Sequence, residues 1–149
     1  MEQRVGSGDA DDDVRHAERV VIGPGGVFLI VLEHQLAAKV WVTEHQLTIN
    51  GRDSDRLRAV RFEARRESGR LSDACGFDVT VQAVLVLIGA ATVQTLSRPA
   101  EVHVRNQHDI RDWLCKQPTR LEPGTVAVVY QHLRPAEASP IYSLPGLLE

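Results

Sequence analysis

Two apolar runs with almost nothing between them set the first limit on this chain. Residues 19–23 read Arg-Val-Val-Ile-Gly, residues 27–32 read Val-Phe-Leu-Ile-Val-Leu, and Gly23, Pro24, Gly25 and Gly26 join them. Short runs rich in β-branched side chains are strands, and Gly with Pro forces a turn between them. Parallel strands need a crossover of a dozen or more residues, so these two are antiparallel neighbours. Both are apolar at nearly every position rather than at alternate ones. The hairpin therefore lies in the middle of a sheet that is covered on each side. If Gly23 pairs with Gly26, cross-strand partners carry numbers that add to 49, which puts residue 18 opposite residue 31. Residues 31 and 33 share a face because side chains alternate along a strand.

Two further short strands follow, at Lys39-Val-Trp-Val-Thr43 and 47–50, joined by the polar Glu44, His45 and Gln46, with the turn pair Asn50 and Gly51 behind them. The period then changes. From Ser54 or Asp55 to about Cys75 the residues Leu57, Val60, Ala64, Ser68 and Leu71 recur at helical steps. Asp53, Ser54 or Asp55 can cap this helix, and Gly76 stands where it should stop. Residues 79–88 form a buried strand and 102–105 a shorter one. A helix over 107–116, capped by Asn106, turns Ile110, Trp113 and Leu114 inward, and Pro118 ends it. Pro123 opens a last helix through Leu133, with Val126, Val129, Tyr130 and Leu133 as its apolar side. Trp41 and Trp113 read as core aromatics. The order implies an α/β fold with a mixed sheet and no internal repeat. Residues 1–16, acidic and glycine-containing, are expected to be disordered. Residues 17–134 form the folded domain, and 135–149 an irregular tail.

Size and charge narrow the functional classes. With 149 residues, 43% of them hydrophobic, the chain can bury one domain's core, and a net charge of −3 argues against bulk attraction to nucleic acid or to a membrane surface. The longest apolar run, 84–91, is too short to cross a bilayer and suits a strand. No secretion signal stands at the N-terminus, so the expected location is cytoplasmic. Cys75 and Cys115 match no zinc spacing and read as reduced, at least half-buried thiols.

The Gly-Pro-Gly-Gly-Val-Phe run at 23–28, with Lys39-Val-Trp-Val42, Leu47-Thr-Ile-Asn-Gly51, Arg61-Phe-Glu-Ala-Arg-Arg66, Val102-His-Val104 and Trp113-Leu114, resembles the NERD (nuclease-related) domain in order and spacing, particularly its actinobacterial versions. The resemblance spans about residues 17–130. It implies a PD-(D/E)XK, restriction-endonuclease-like fold, a mixed sheet with a central antiparallel hairpin flanked by helices. It also implies an ancestral metal-dependent cleavage of nucleic acid in bacteria. The family has another helix and strand before the hairpin, where this chain has about fifteen acidic, turn-prone residues. Their loss is expected to uncover a sheet edge and to favour a homodimer through it.

The family's catalytic positions, an Asp before the first hairpin strand and a Glu and Lys two apart near the end of the second, fall on Glu18, Val31 and Glu33. Carboxylates at 18 and 31 would hold Mg²⁺ or Mn²⁺, and a Lys at 33 would position the attacking water and neutralise charge on the phosphoryl group. Glu18 and Glu33 remain as diagonal neighbours able to share a metal weakly. Val31 removes the central ligand, and Glu33 reverses the charge of the Lys position. Losing one positioned electrostatic stabiliser costs roughly a hundredfold in rate, so the expected activity is weak or absent. Lys39 is the nearest later cation, and His34 is the histidine closest to the patch.

Seven arginines crowd residues 52–70, and Arg58, Arg61 and Arg65 line one flank of the apolar helical stripe. Three guanidinium groups in a row suit phosphate contacts. They equally suit a solvated face paired with Glu63 and Glu67. The second functional reading is therefore a non-catalytic module that binds nucleic acid or protein through these arginines.

Overall fold

The structure, a computed structural model, describes residues 16–133 and 138–140. The stretch expected to be disordered lies outside them, save His16, which opens the first strand. Strands β1 (His16–Gly23) and β2 (Gly26–His34) pair antiparallel with Gly23 opposite Gly26 and Glu18 opposite Val31. Gly26 has φ 135°, a conformation open to glycine. A Cβ on Gly25 would lie 2.8 Å from the Cβ of Gln117. The carbonyl of Pro24 accepts the N–H groups of Arg120 at 2.8 Å and Leu121 at 3.0 Å. The link thus reverses the chain and also seats the segment around 117–121 against bare backbone.

Next come β3 (Lys39–Val42), β4 (Leu47–Ile49) and β5 (Arg52–Ser54), then helix α1 (Arg56–Cys75). They are followed by β6 (Val81–Ile88), β7 (Thr92–Thr95) and β8 (Val102–Asn106), helices α2 (Ile110–Cys115) and α3 (Pro123–Gln131), and β9 (Ala138–Pro140). The strands form two mixed sheets, β8-β6-β2-β1-β9 and β5-β4-β3-β7. The protein is α/β, and its five-stranded sheet, with the hairpin inside it, agrees with a restriction-endonuclease-like layout. The second sheet departs from the single sheet expected. It arises because the chain leaves β2 and β6 side by side. Gln35 and Ala37 donate their N–H groups to the carbonyls of Ile88 and Gly89, and Ala91 donates to Ala38. The parallel pair β2–β6 is so handed on to the parallel pair β3–β7.

Both faces of the hairpin are covered. On one, Val20, Leu29 and Val31 pack with Leu57, Val60, Ala64 and Leu71 of α1, and this core continues to Val40, Val42 and Leu47 of the second sheet. On the other, Val21, Phe28 and Ile30 meet Ile110 and Leu114 of α2. Burying each large aliphatic side chain contributes about 1.5–3 kcal/mol. The surface pair Arg66–Glu63 on α1 contributes at most about 1 kcal/mol, so the buried stripe holds the helix in place. Gly76, in the left-handed region, stops α1 as expected. Ser68 and Ser72 accept the N–H groups of Val81 and Val79, each at 2.8 Å, and tie the start of β6 to the helix.

Several expectations need correction. Trp41 is 46% exposed, because Val40 and Val42 take the inner face of β3 and turn the indole outward. Tyr130 is likewise exposed, and the apolar side of α3 runs through Val129 to Leu133. Cys115 is exposed, whereas Cys75 is half-buried. Asn106 stands before α2 rather than at its cap; its side chain accepts the N–H groups of His108 and Asp109 in the turn that leads in. The tail expected to be irregular contributes β9, which pairs parallel with β1 at Val20, Val21 and Ile22. Part of the edge proposed for dimer contact is therefore taken by the chain's own strand. No helix among the described residues is long and apolar enough to cross a membrane.

Candidate functional site

The hairpin brings the three positions singled out by sequence to one face, with Glu18 opposite Val31 and Glu33 one step further along β2. This is the α1 face, and the helix crosses it so that each position meets a different environment. Val31 is fully buried. Glu18 is exposed at a small hollow shared with Glu63, Arg66 and Glu67 of α1. Glu33, expected to share a metal weakly with Glu18, is 3% exposed and is the one buried charged residue among those described.

Two of its contacts offset the burial of the Glu33 carboxylate. The Nε of Arg56, the first residue of α1, lies 3.3 Å from its Oε1, and the Arg56 side chain is itself only 20% exposed. The side-chain amide of Gln35 donates to Oε2 at 2.8 Å. A guanidinium and an amide thus face the carboxylate where little water reaches, as the burial of a polar group requires. Neither partner was singled out by the sequence reading, although both signals were present. Arg56 stands four residues before Val60 and eight before Ala64, so it continues the buried stripe toward the N-terminus of α1. Gln35 follows Val31 and Glu33 with period two.

The patch as built does not suit a divalent metal. Mg²⁺ takes oxygen ligands in near-octahedral geometry with several waters. Val31 supplies no oxygen, Glu33 gives its oxygens to a guanidinium and an amide, and Glu18 faces solvent beside other charged side chains. Among the described residues no three His, Cys, Asp or Glu side chains come together as a metal would need. Lys39 lies in the second sheet, where its N–H bonds the Asn50 side chain at 2.9 Å. His34 points away from Glu33 by strand alternation and is exposed.

The three arginines do not present a uniform row. Arg65 grips the Glu101 carboxylate through three contacts of 2.7–3.1 Å. Arg61 donates its Nε to the Ala100 carbonyl at 3.0 Å. Both therefore pin α1 to the turn before β8. Arg58 is exposed and lines a shallow hollow with Asp53 and Asp55. The glutamates expected to pair along the helix do so with other arginines, Glu63 with Arg66 and Glu67 with Arg70.

No protein-family model, curated protein or solved structure matches this chain.

Proposed function

We propose that this chain is a nuclease-related α/β domain whose phosphodiesterase centre has become a structural ion pair, leaving a module without efficient cleavage chemistry. The observation that carries this reading is the Glu33 carboxylate, 3% exposed and held by Arg56 and Gln35 beside the fully buried Val31. A working centre of this type needs carboxylates open to a metal and a cation free to face the phosphoryl group. Arg56 brings a positive charge back to the neighbourhood, but its guanidinium is always protonated and cannot take a proton from water. It is also committed to Glu33. Binding of nucleic acid through Arg58, Arg61 and Arg65 would require Arg65 to leave Glu101 and Arg61 to leave Ala100, so only Arg58 is offered without rearrangement.

The test is a cleavage assay on single- and double-stranded DNA and on RNA, with Mg²⁺ or Mn²⁺, comparing the chain with its Glu18→Ala variant. The expected result is no divalent-dependent cleavage that distinguishes the two proteins. Metal-dependent cleavage that vanishes in Glu18→Ala would overturn the proposal. A restored centre needs more than Val31→Glu with Glu33→Lys, because the new lysine would sit against Arg56. Adding Arg56→Ser removes that repulsion.

A further inference from the structure

A cleft of about 490 Å³ opens beside β8, the strand that ends the larger sheet. It is built from three elements. His103 and Arg105 of β8 project to the face that α2 covers, since they pair with Val84 and Val86, which pack against Ile110 and Leu114. Trp113 and Gln117 come from α2 and its end, and Arg98 from the loop after β7. The volume falls in the range of small-molecule sites.

Charge in this cleft is one-sided. None of its lining residues is an Asp or Glu. Arg98 is exposed and makes no hydrogen bond or ion pair among the described residues. Arg105 reaches Asp109 only at 3.9 Å, and its buried Nε has no hydrogen-bond partner among the described residues. Its guanidinium lies 5.2 Å from the centre of the Trp113 ring. Arg120 stands nearby, bonded to the Gln117 side chain at 3.3 Å. Between these cations the His103 ring lies 4.7 Å from Trp113, with its Nε2 3.2 Å from Gln82 Oε1. Burial first, then Arg105, Arg98 and Arg120, hold the imidazole below its ordinary pKa. A guanidinium with an unsatisfied buried N–H, beside a second guanidinium with no anion on it among the described residues, suits an oxyanion.

The walls add a second requirement. Trp113 and His103 are flat rings, the Gln117 amide and the Thr95 and Ser97 side chains offer hydrogen bonds, and β8 has no strand partner on its outer side among the described residues. Rings with hydrogen-bonding groups around them suit a heteroaromatic base. We infer that the cleft binds a nucleotide, its phosphate between Arg98 and Arg105 and its base along the Trp113 side. This site uses neither Glu18 nor Glu33 and does not depend on the state of the hairpin patch. The nucleotide is either free or part of a single strand, and the two share the same contacts.

The test titrates the full chain with adenosine 5′-monophosphate, with an eight-residue single strand of thymidylate and with inorganic phosphate, following backbone amide shifts by NMR. Saturable shifts are expected at Arg98, His103, Arg105 and Trp113. Arg98→Glu, an exposed loop change that spares the fold, should weaken binding by about tenfold or more, the loss of one charge-assisted hydrogen bond. Arg52→Glu, an exposed change in β5 away from the cleft, should leave it unchanged. Tighter binding of the strand than of the mononucleotide assigns the site to single-stranded nucleic acid, and the reverse assigns it to a free nucleotide. No saturable shift with any probe overturns the inference. So does equal weakening by Arg52→Glu and Arg98→Glu, which would mark diffuse attraction, and so does binding of inorganic phosphate with no gain from the base.

Discussion

Removing Arg56 should cost this protein far more than removing the acid it pairs with. Glu33 is 3% exposed and the Arg56 side chain 20% exposed, with 3.3 Å between Nε and Oε1. In Arg56→Ala the cation leaves while the carboxylate stays nearly shut off from water, a change that costs about 3–5 kcal/mol when a buried pair is broken. In Glu33→Gln the charge left behind is the arginine, which already reaches solvent and can turn further toward it, so the loss should be about 1–2 kcal/mol. Replacing both with apolar side chains, Glu33→Leu with Arg56→Met, should recover most of the Arg56→Ala loss, since buried pairs exchanged for apolar residues are often neutral. Against a total stability of about 5–15 kcal/mol, these differences are easily resolved. Equilibrium urea unfolding of the four proteins, followed by circular dichroism, gives the coupling directly. If Arg56→Ala shifts stability by less than about 0.5 kcal/mol, as for an exposed pair, Glu33 is bathed in water and the argument that its charge is structurally committed fails.

Two other consequences can be measured on stability alone. Gly25→Ala should destabilise the fold by about 1–3 kcal/mol through overpacking, because the new Cβ would lie 2.8 Å from the Gln117 Cβ. Gln117→Ala, which keeps that Cβ, should not rescue it, and a rescue in thermal unfolding would contradict the stated contact. His103 has a folded-state pKa below the ordinary 6.5. The unfolded chain therefore takes up its proton first as pH falls. Stability should decline from about pH 6.5 downward until the folded imidazole also protonates, and His103→Gln should flatten that limb. An identical pH profile in the variant would remove the role given to burial and to Arg98, Arg105 and Arg120.

What could be seen in the sequence was local. The hairpin register follows from a Gly-Pro-Gly-Gly link between two apolar runs, and α1 from residues at three- and four-residue steps ended by Gly76. Both depend on neighbours in the chain. The second sheet does not. β5 is Arg-Asp-Ser and β7 is Thr-Val-Gln-Thr. Neither shows the apolar alternation that marks a strand, and pairing with β4 and β3 recruits them. Trp41 lies outside because the alternation of Lys39, Val40, Trp41 and Val42 puts the two valines inside. The candidate site divides in the same way. That Glu18, Val31 and Glu33 share a face is strand geometry. That Glu33 is buried against Arg56 depends on where a helix lands after two intervening strand turns. The cleft beside β8 gathers Arg98, His103, Arg105 and Trp113 from three elements, and no spacing in the chain announces it.

The measurement closest to the central claim is a titration of the isotope-labelled chain with Mn²⁺, read as paramagnetic broadening of backbone amides. If the Glu33 carboxylate belongs to Arg56 and Gln35, broadening at residues 18, 31 and 33 should be no stronger than at exposed acidic positions such as Glu122, and should not saturate. Saturable broadening centred on those three residues and abolished by Glu18→Ala would show a metal seat where the structure has an ion pair, and would return the hairpin to the list of working centres.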